Sequence, residues 1–404
     1  MGVKQLWKEL EAKGALRKLA GGSHHAELAA ELEGKVVAID LAIWAAQCSD
    51  QVYASQELNH AQKSAKLAME RANMLLAYGV VPLGVVEGVP PALKAAAIEQ
   101  RNATFYGAES ASRGGTHTGM RGITRSMGKV FRALGLPVVE APSEAEAMCC
   151  ALVEVGLADA VSTEDGDALI YKAKKCYRHL KVYPDKPETS TVGVVEREGD
   201  ASYLPALEIP QRGHDGAQIP DETQRNLLAW LAAVVGHEYQ PAGVPKMGPK
   251  KTIKMLAQIR AGLETPAVGE DGEKALKTLG ALVHDNNLAD VTEEFEDQWC
   301  TALTAAQALV GRLDTTWRRP SPAAFCANSN LPWSLEFCSQ KLRKAMVVWD
   351  LQVSAVVDVH LRWCTNTITS GTRRHGGGRV RPADSNPTDD SIRGTRGRSS
   401  GWRG

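Results

Sequence analysis

Seven acidic residues stand where apolar runs end. They are Asp40 after Lys35–Ile39, Glu87 after Val80–Val86, Glu144 and Glu146 after Leu136–Val139, Asp165 and Asp167 after Ala158–Val161, and Glu238 after Leu227–Val235. Short apolar runs rich in β-branched residues read as buried parallel strands. Ligands of open α/β sheets bind at the carboxyl ends of such strands. Carboxylates gathered there repel one another and lose hydration. A structural role would give each a basic partner, and no Lys or Arg is interleaved with them at those positions. Divalent cations would remove the repulsion, and a hard ion such as Mg²⁺ takes oxygen ligands and keeps several waters. The arrangement looks like a centre for two-metal phosphodiester hydrolysis.

An α/β fold with a mostly parallel central sheet flanked by helices would bring these run ends together. Residues 1–20 read as an amphipathic helix with Leu6, Trp7 and Leu10 inward. Asp40 ends the first strand, a helical pattern covers Lys63–Tyr78, and Val80–Val86 is the second strand. Pro90 and Pro91 then open a basic segment whose middle, Gly107–Gly122, is rich in Gly, Ser and Thr and reads as mobile. Ser143-Glu144-Ala145-Glu146 fits a capping box for a helix over Ala147–Val155. Residues 184–222 hold many Pro and Gly and read as a long loop around a short strand. Asn226–Val235 reads as a helix because of its length and its Leu and Ala content. Further helices are expected over Thr252–Arg260, Asp297–Arg312 and Leu335–Leu351. These patterns divide the chain into an N-terminal core part (1–100), a flexible segment (101–122), an internal core part (123–260), a helical extension (261–365) and a tail (366–404).

Composition narrows the class. The 404 residues carry 47 basic and 47 acidic side chains, so net charge is zero and any nucleic-acid surface must be local. Hydrophobic content of 44% supports a core. The eight cysteines lack paired CxxC spacing, which argues against zinc and for thiols in a reducing compartment. Neither a secretory signal nor a membrane span is evident. From Gly371 onward there are eight Arg, three Asp and almost nothing apolar, the composition of a disordered segment.

Each acidic residue taken singly has a plain alternative. Asp40 could be a helix N-cap, Glu144 and Glu146 helix-start charges, and Asp165-Gly166-Asp167 a turn. Lys94 and Arg101 could lie on a solvated helix face, and Gly243–Lys251 could be an ordinary interhelical turn. An Asp-dependent phosphatase fits less well, since Asp40-Leu41-Ala42 lacks a second Asp. It is the joint pattern that is specific.

That joint pattern resembles the flap-endonuclease/XPG nuclease family. The resemblance rests on Met1-Gly2-Val3 with Leu6-Trp7, Val37-Ala38-Ile39-Asp40, Glu87-Gly88-Val89-Pro90-Pro91-Ala92-Leu93-Lys94, Ala141-Pro142-Ser143-Glu144-Ala145-Glu146-Ala147, Glu164-Asp165-Gly166-Asp167 and Gly236-His237-Glu238-Tyr239. Glu87 rather than Asp, Arg101-Asn102 with Tyr106-Gly107, Glu146-Ala147-Met148-Cys149, and Gly243-Val244-Pro245 are most similar to the GEN-type Holliday-junction resolvase branch. The resemblance is strong over residues 1–260 and continues weakly through Leu331-Pro332-Trp333; no chromodomain is evident.

The resemblance implies a PIN-like nuclease core with a helical arch and a helix-two-turn-helix element. It implies two Mg²⁺ ions, replaceable by Mn²⁺, on Asp40, Glu87, Glu144, Glu146, Asp165, Asp167 and Glu238. It makes Lys94 and Arg101 catalytic gateway cations. It makes Gly243, Val244, Gly248, Lys250 and Lys251 contacts to DNA phosphates, with a monovalent cation beside them. The substrate would be branched double-stranded DNA, namely 5′ flaps, forks and four-way junctions. The protein would be nuclear, a monomer in solution, and a dimer on four-way junctions. Two alternatives remain: an enzyme restricted to flaps, and a catalytically impaired scaffold that binds branched DNA. The second is motivated by Glu238, which stands where the family pattern has Asp.

Overall fold

The computed structural model describes residues 3, 5–48, 58–95, 97–98, 115–197, 203, 207, 221–237, 239, 243–264, 288–329, 331–343 and 345–350. In chain order the elements are α1 (Leu6–Ala12), β1 (Arg17–Ala20), α2 (His25–Leu32), β2 (Val36–Asp40), α3 (Leu41–Gln47), α4 (His60–Ala77), β3 (Val81–Val86), α5 (Gly115–Ala133) and β4 (Val138–Glu140). They continue with α6 (Ala145–Glu154), β5 (Ala160–Ser162), α7 (Asp167–Ile170), β6 (Lys175–Lys181), β7 (Thr191–Glu196), α8 (Asp221–Val235), α9 (Pro249–Glu264), α10 (Leu288–Leu309) and α11 (Pro322–Asn328). Residues 335–343 and 345–350 are also helical. Among the described residues, no helix is long and apolar enough to cross a membrane.

The sheet has the order β1-β7-β6-β5-β2-β3-β4. Strands β6, β5, β2, β3 and β4 are mutually parallel, and β7 runs antiparallel to both β6 and β1. From β2 the chain proceeds outward through β3 to β4, then returns to the other side of β2 as β5. That reversal leaves a crevice beyond the carboxyl ends of the central strands, where α/β sheets hold ligands.

Side chains alternate across the strands, and the two faces feed two cores. Ala38, Leu83, Val85, Val139 and Val161 join α1, α6, α7, α8 and α10 on one face. Val37, Ile39, Val86 and Ala160 join α2 to α5 and α11 on the other. Both faces are covered by helices, so the strands read as unbroken apolar runs.

Three local expectations are corrected. Residues 1–20 do not form one helix. Gly14 sits at a φ of 74°, a left-handed conformation glycine adopts without strain, and it stops α1. Arg17–Ala20 then pairs with β7 as an edge strand. Residues 115–122, read as mobile, are the opening turns of α5, while 107–114 lie outside the described residues. The capping box does not form: Glu144 is the N-cap residue of α6, and the Ser143 hydroxyl donates to the Val89 carbonyl at 2.7 Å.

Candidate metal centre

Two central strands deliver their acids directly. Asp40 is the last residue of β2 and the N-cap of α3, and one carboxylate oxygen accepts the Ala42 N–H at 2.7 Å. The plain capping reading is therefore true of one oxygen. Glu87 follows β3. Next to it the Gly88 N–H donates to the Ser143 carbonyl at 2.7 Å. A Cβ on Gly88 would lie 2.3 Å from the Ala141 carbonyl oxygen, so only glycine lets the ends of β3 and β4 come this close. That approach seats Glu87 beside Glu144.

Glu146 sits in the first turn of α6, buried, and accepts the Thr163 hydroxyl at 2.8 Å. The same Thr163 oxygen accepts the Asp165 N–H at 2.9 Å. Asp165 in turn takes the Asp167 N–H at 3.3 Å, and Asp167 opens α7. The turn after β5 thus folds both aspartates back toward α6. One ligand atom from each of Glu146, Asp165 and Asp167 falls within 4.8 Å of the others, all three residues being buried.

The electrostatics follow from that crowding. Burial and the Asp165, Asp167 and Asp40 charges push the Glu146 carboxyl well above the usual carboxylate range, against the Thr163 hydrogen bond. Burial, then the Glu87 charge, pushes Asp40 up to about 7. Converging buried carboxylates that resist ionisation in one another's presence fit a hard divalent cation, which supplies the missing charge and accepts only oxygen donors of this kind.

Lys94 changes the sequence-based picture. The expectation that no basic residue partners the acids is overturned for Glu144 and Glu87. The short 3₁₀ turn Ala92–Lys94 folds the lysine back over the ends of β3 and β4. Its ammonium lies 2.9 and 3.0 Å from the two Glu144 oxygens and 3.9 Å from Glu87. It is buried, not on a solvated helix face.

The centre therefore brings together Asp40, Glu87, Lys94, Glu144, Glu146, Asp165 and Asp167. Arg101 and Glu238 lie outside the described residues. Gly243, Val244, Gly248, Lys250 and Lys251 form a separate turn opening α9. Gly243 has a φ of 59°, and the Val244 N–H donates to the Val234 carbonyl at 2.8 Å, closing the turn onto the end of α8. Lys246, Lys250, Lys251 and Lys254 are exposed there. Sequence reasoning missed Thr163 and Gln298. A polar residue inside Ser162-Thr163-Glu164-Asp165 is a weak local signal for the first. Nothing local marks Gln298, which reaches the Glu144 N–H at 3.5 Å from α10.

Comparison with known proteins agrees with this geometry. The XPG N-terminal domain matches residues 1–106 and the XPG I-region residues 135–204. Flap endonuclease GEN homolog 1 of Mus musculus is 30% identical over 260 residues, covering 63% of this chain and 25% of that protein. Flap endonuclease 1 of Leishmania major is 31% identical over 205 residues, covering 46% of this chain and 47% of that protein. The chain thus spans about a quarter of the length of the mouse relative. Human GEN1 in complex with Holliday junction DNA superposes with a TM-score of 0.57 at 20% identity, covering 86% of this chain and 78% of that one. Flap endonuclease-1 from Methanococcus jannaschii gives 0.56 at 17%, covering 87% and 100%. At these identities the superpositions establish the common fold.

Proposed function

We propose that the chain, which the XPG N-terminal and I-region models match over residues 1–106 and 135–204, is a flap-endonuclease/XPG family member and a Mg²⁺-dependent, structure-selective DNA endonuclease cutting 5′ flaps, fork-like structures and four-way junctions. The observation that carries this reading is the trio Glu146, Asp165 and Asp167, buried within 4.8 Å at the carboxyl ends of the parallel strands. Together with Asp40, Glu87, Glu144 and Glu238, the trio would hold two Mg²⁺, directly or through water. When bound, the ions would supply an activated water and charge stabilisation of the leaving 3′ oxygen.

The remaining chemistry belongs to the chain's own side chains. Thr163 orients the Glu146 carboxylate toward the two aspartates. Lys94, held by Glu144 beside Glu87, would offer a cation to the scissile phosphate, and Arg101 would offer a second. The Gly243–Gly248 turn, with Lys250 and Lys251, would hold duplex phosphates without reading sequence, and a monovalent cation would sit beside them. The protein would act in the nucleus, as a monomer that pairs on four-way junctions.

Labelled flap, fork and junction substrates test the reading, with Asp40→Asn, Glu144→Gln and Asp165→Asn as controls. Incision of all three substrates by wild type and none by the variants, which still bind DNA, is expected. Incision of flaps alone would restrict the substrate class. Retained binding without incision in Mg²⁺ or Mn²⁺ would favour a branched-DNA scaffold, the reading to which Glu238 in place of Asp lends support.

A further inference from the structure

Helix α10 lies outside both matched family regions, yet it reaches the back of the metal centre at two points. Phe295 is the first. Its ring stands 5.5 Å from Tyr171, 4.7 Å from His237 and 5.2 Å from Tyr239. His237 and Tyr239 also meet at 4.7 Å, and all four side chains are buried. All three of these partners are tied by the chain to candidate metal-binding positions. The Tyr171 N–H donates to the Asp167 carbonyl at 3.0 Å, closing the single turn that presents the Asp167 carboxylate. His237 and Tyr239 flank Glu238, and the Tyr239 N–H donates to His237 Nδ1 at 3.1 Å. One ring therefore packs on the segments that carry both Asp167 and Glu238.

Gln298 is the second point, one helical turn further along α10. Its side-chain oxygen faces the Glu144 N–H at 3.5 Å while its amide donates to Glu294 at 2.7 Å. Glu294 thereby orients the amide that touches the start of α6, the residue whose carboxylate grips Lys94.

We propose that Phe295 and Gln298 are positioning residues, through which α10 sets the spacing of the candidate metal-binding carboxylates of Asp167 and Glu144. Divalent cations as small as Mg²⁺ tolerate little deviation in ligand distance, so a helix that fixes two ligand-bearing segments at once controls affinity for the ion. The inference rests on the metal-centre reading above and adds to it a dependence on a helix that contributes no ligand of its own.

The test is Mn²⁺ binding to the full chain without DNA, read by calorimetry and by the Mn²⁺ electron-spin signal, alongside thermal stability. Phe295→Leu keeps apolar volume and removes the ring contacts. Gln298→Met is nearly isosteric and removes the hydrogen bonds. Each is expected to weaken Mn²⁺ binding by about tenfold, the usual effect of removing a partner that orients a ligand. Leu303→Ala, elsewhere on α10, removes partly buried apolar contacts; it should lower thermal stability and leave the dissociation constant unchanged. Asp165→Asn should abolish binding. If Leu303→Ala weakens Mn²⁺ as much as the other two, general loosening explains the effect and the proposal fails. If Phe295→Leu and Gln298→Met bind Mn²⁺ like wild type while Asp165→Asn does not, the metal centre stands and the role of α10 is wrong. Unaltered binding by Asp165→Asn would remove the centre itself and the proposal with it.

Discussion

The Lys94 ammonium meets both carboxylate oxygens of Glu144, at 2.9 and 3.0 Å, in a buried setting at the end of β4. One lysine thereby neutralises part of a centre otherwise built from acids. Removing a partner from a buried pair strands the remaining charge, which typically costs about 3–5 kcal/mol. Lys94→Met should accordingly lower metal-free stability at pH 8, measured by urea unfolding, and added Mg²⁺ should restore part of the loss. A change below the scatter of the unfolding curves would mean that Glu144 is neutral or solvated without its partner.

The acids themselves make stability depend on pH. Asp40 is held up to about 7 by burial and Glu87, and Glu146 is raised in the same direction. A carboxyl with a raised folded-state pKa binds more protons folded than unfolded, so its contribution is present at low pH and lost as pH rises. Metal-free protein should therefore lose melting temperature between about pH 4 and pH 7, the interval between the ordinary and shifted values of Asp40. Mg²⁺ needs the ionised ligands, so its stabilising effect should be larger at pH 8 than at pH 5. Asp40→Asn removes the Asp40 part and should be the more stable protein at pH 8 without metal. A melting temperature independent of pH in that interval would contradict the crowding of charges.

The exposed lysines at the start of α9 predict an ionic signature. Lys250→Glu combined with Lys251→Glu should weaken binding to every duplex-containing substrate. Each lost phosphate contact should reduce the log–log salt slope by about 0.9. An unchanged slope in a fluorescence titration would place DNA elsewhere on the surface.

Glu238 predicts an altered metal response. Its carboxylate sits one methylene further from the backbone than the Asp of the family pattern. Activity in Mg²⁺ should be low and should improve in Mn²⁺, and Glu238→Asp should lower the Mg²⁺ concentration for half-maximal incision. If Glu238→Asp reduces cleavage or leaves the metal titration unmoved, the site is adapted to Glu or does not use this residue.

Much of the centre was legible because parallel strands buried on both faces are apolar throughout, so an acid marks where each one ends. Asp40, Glu87, Asp165 and Asp167 were visible on that ground alone. The pattern could not show which acids have partners. Lys94 reaches Glu144 across 50 positions of sequence, and Gln298 reaches it across 154. Contacts of that range depend on tertiary packing, not on local periodicity. Arg17–Ala20 was misread for a related reason: its pairing partner, β7, lies far along the chain. The Ser143 box failed because a carbonyl brought in by Gly88 competes for the hydroxyl.

The candidate ligands among the described residues reach the crevice from β2, from the segments after β3 and β5, and from the start of α6, over residues 40 to 167, with α10 behind them. No shorter stretch of chain holds the set. These acids converge only once the pieces have docked, so cation capture by the proposed centre would double as a report of completed folding. On the proposed reading, a partly unfolded chain carrying the lysines of α9 would still hold DNA and would not cut it.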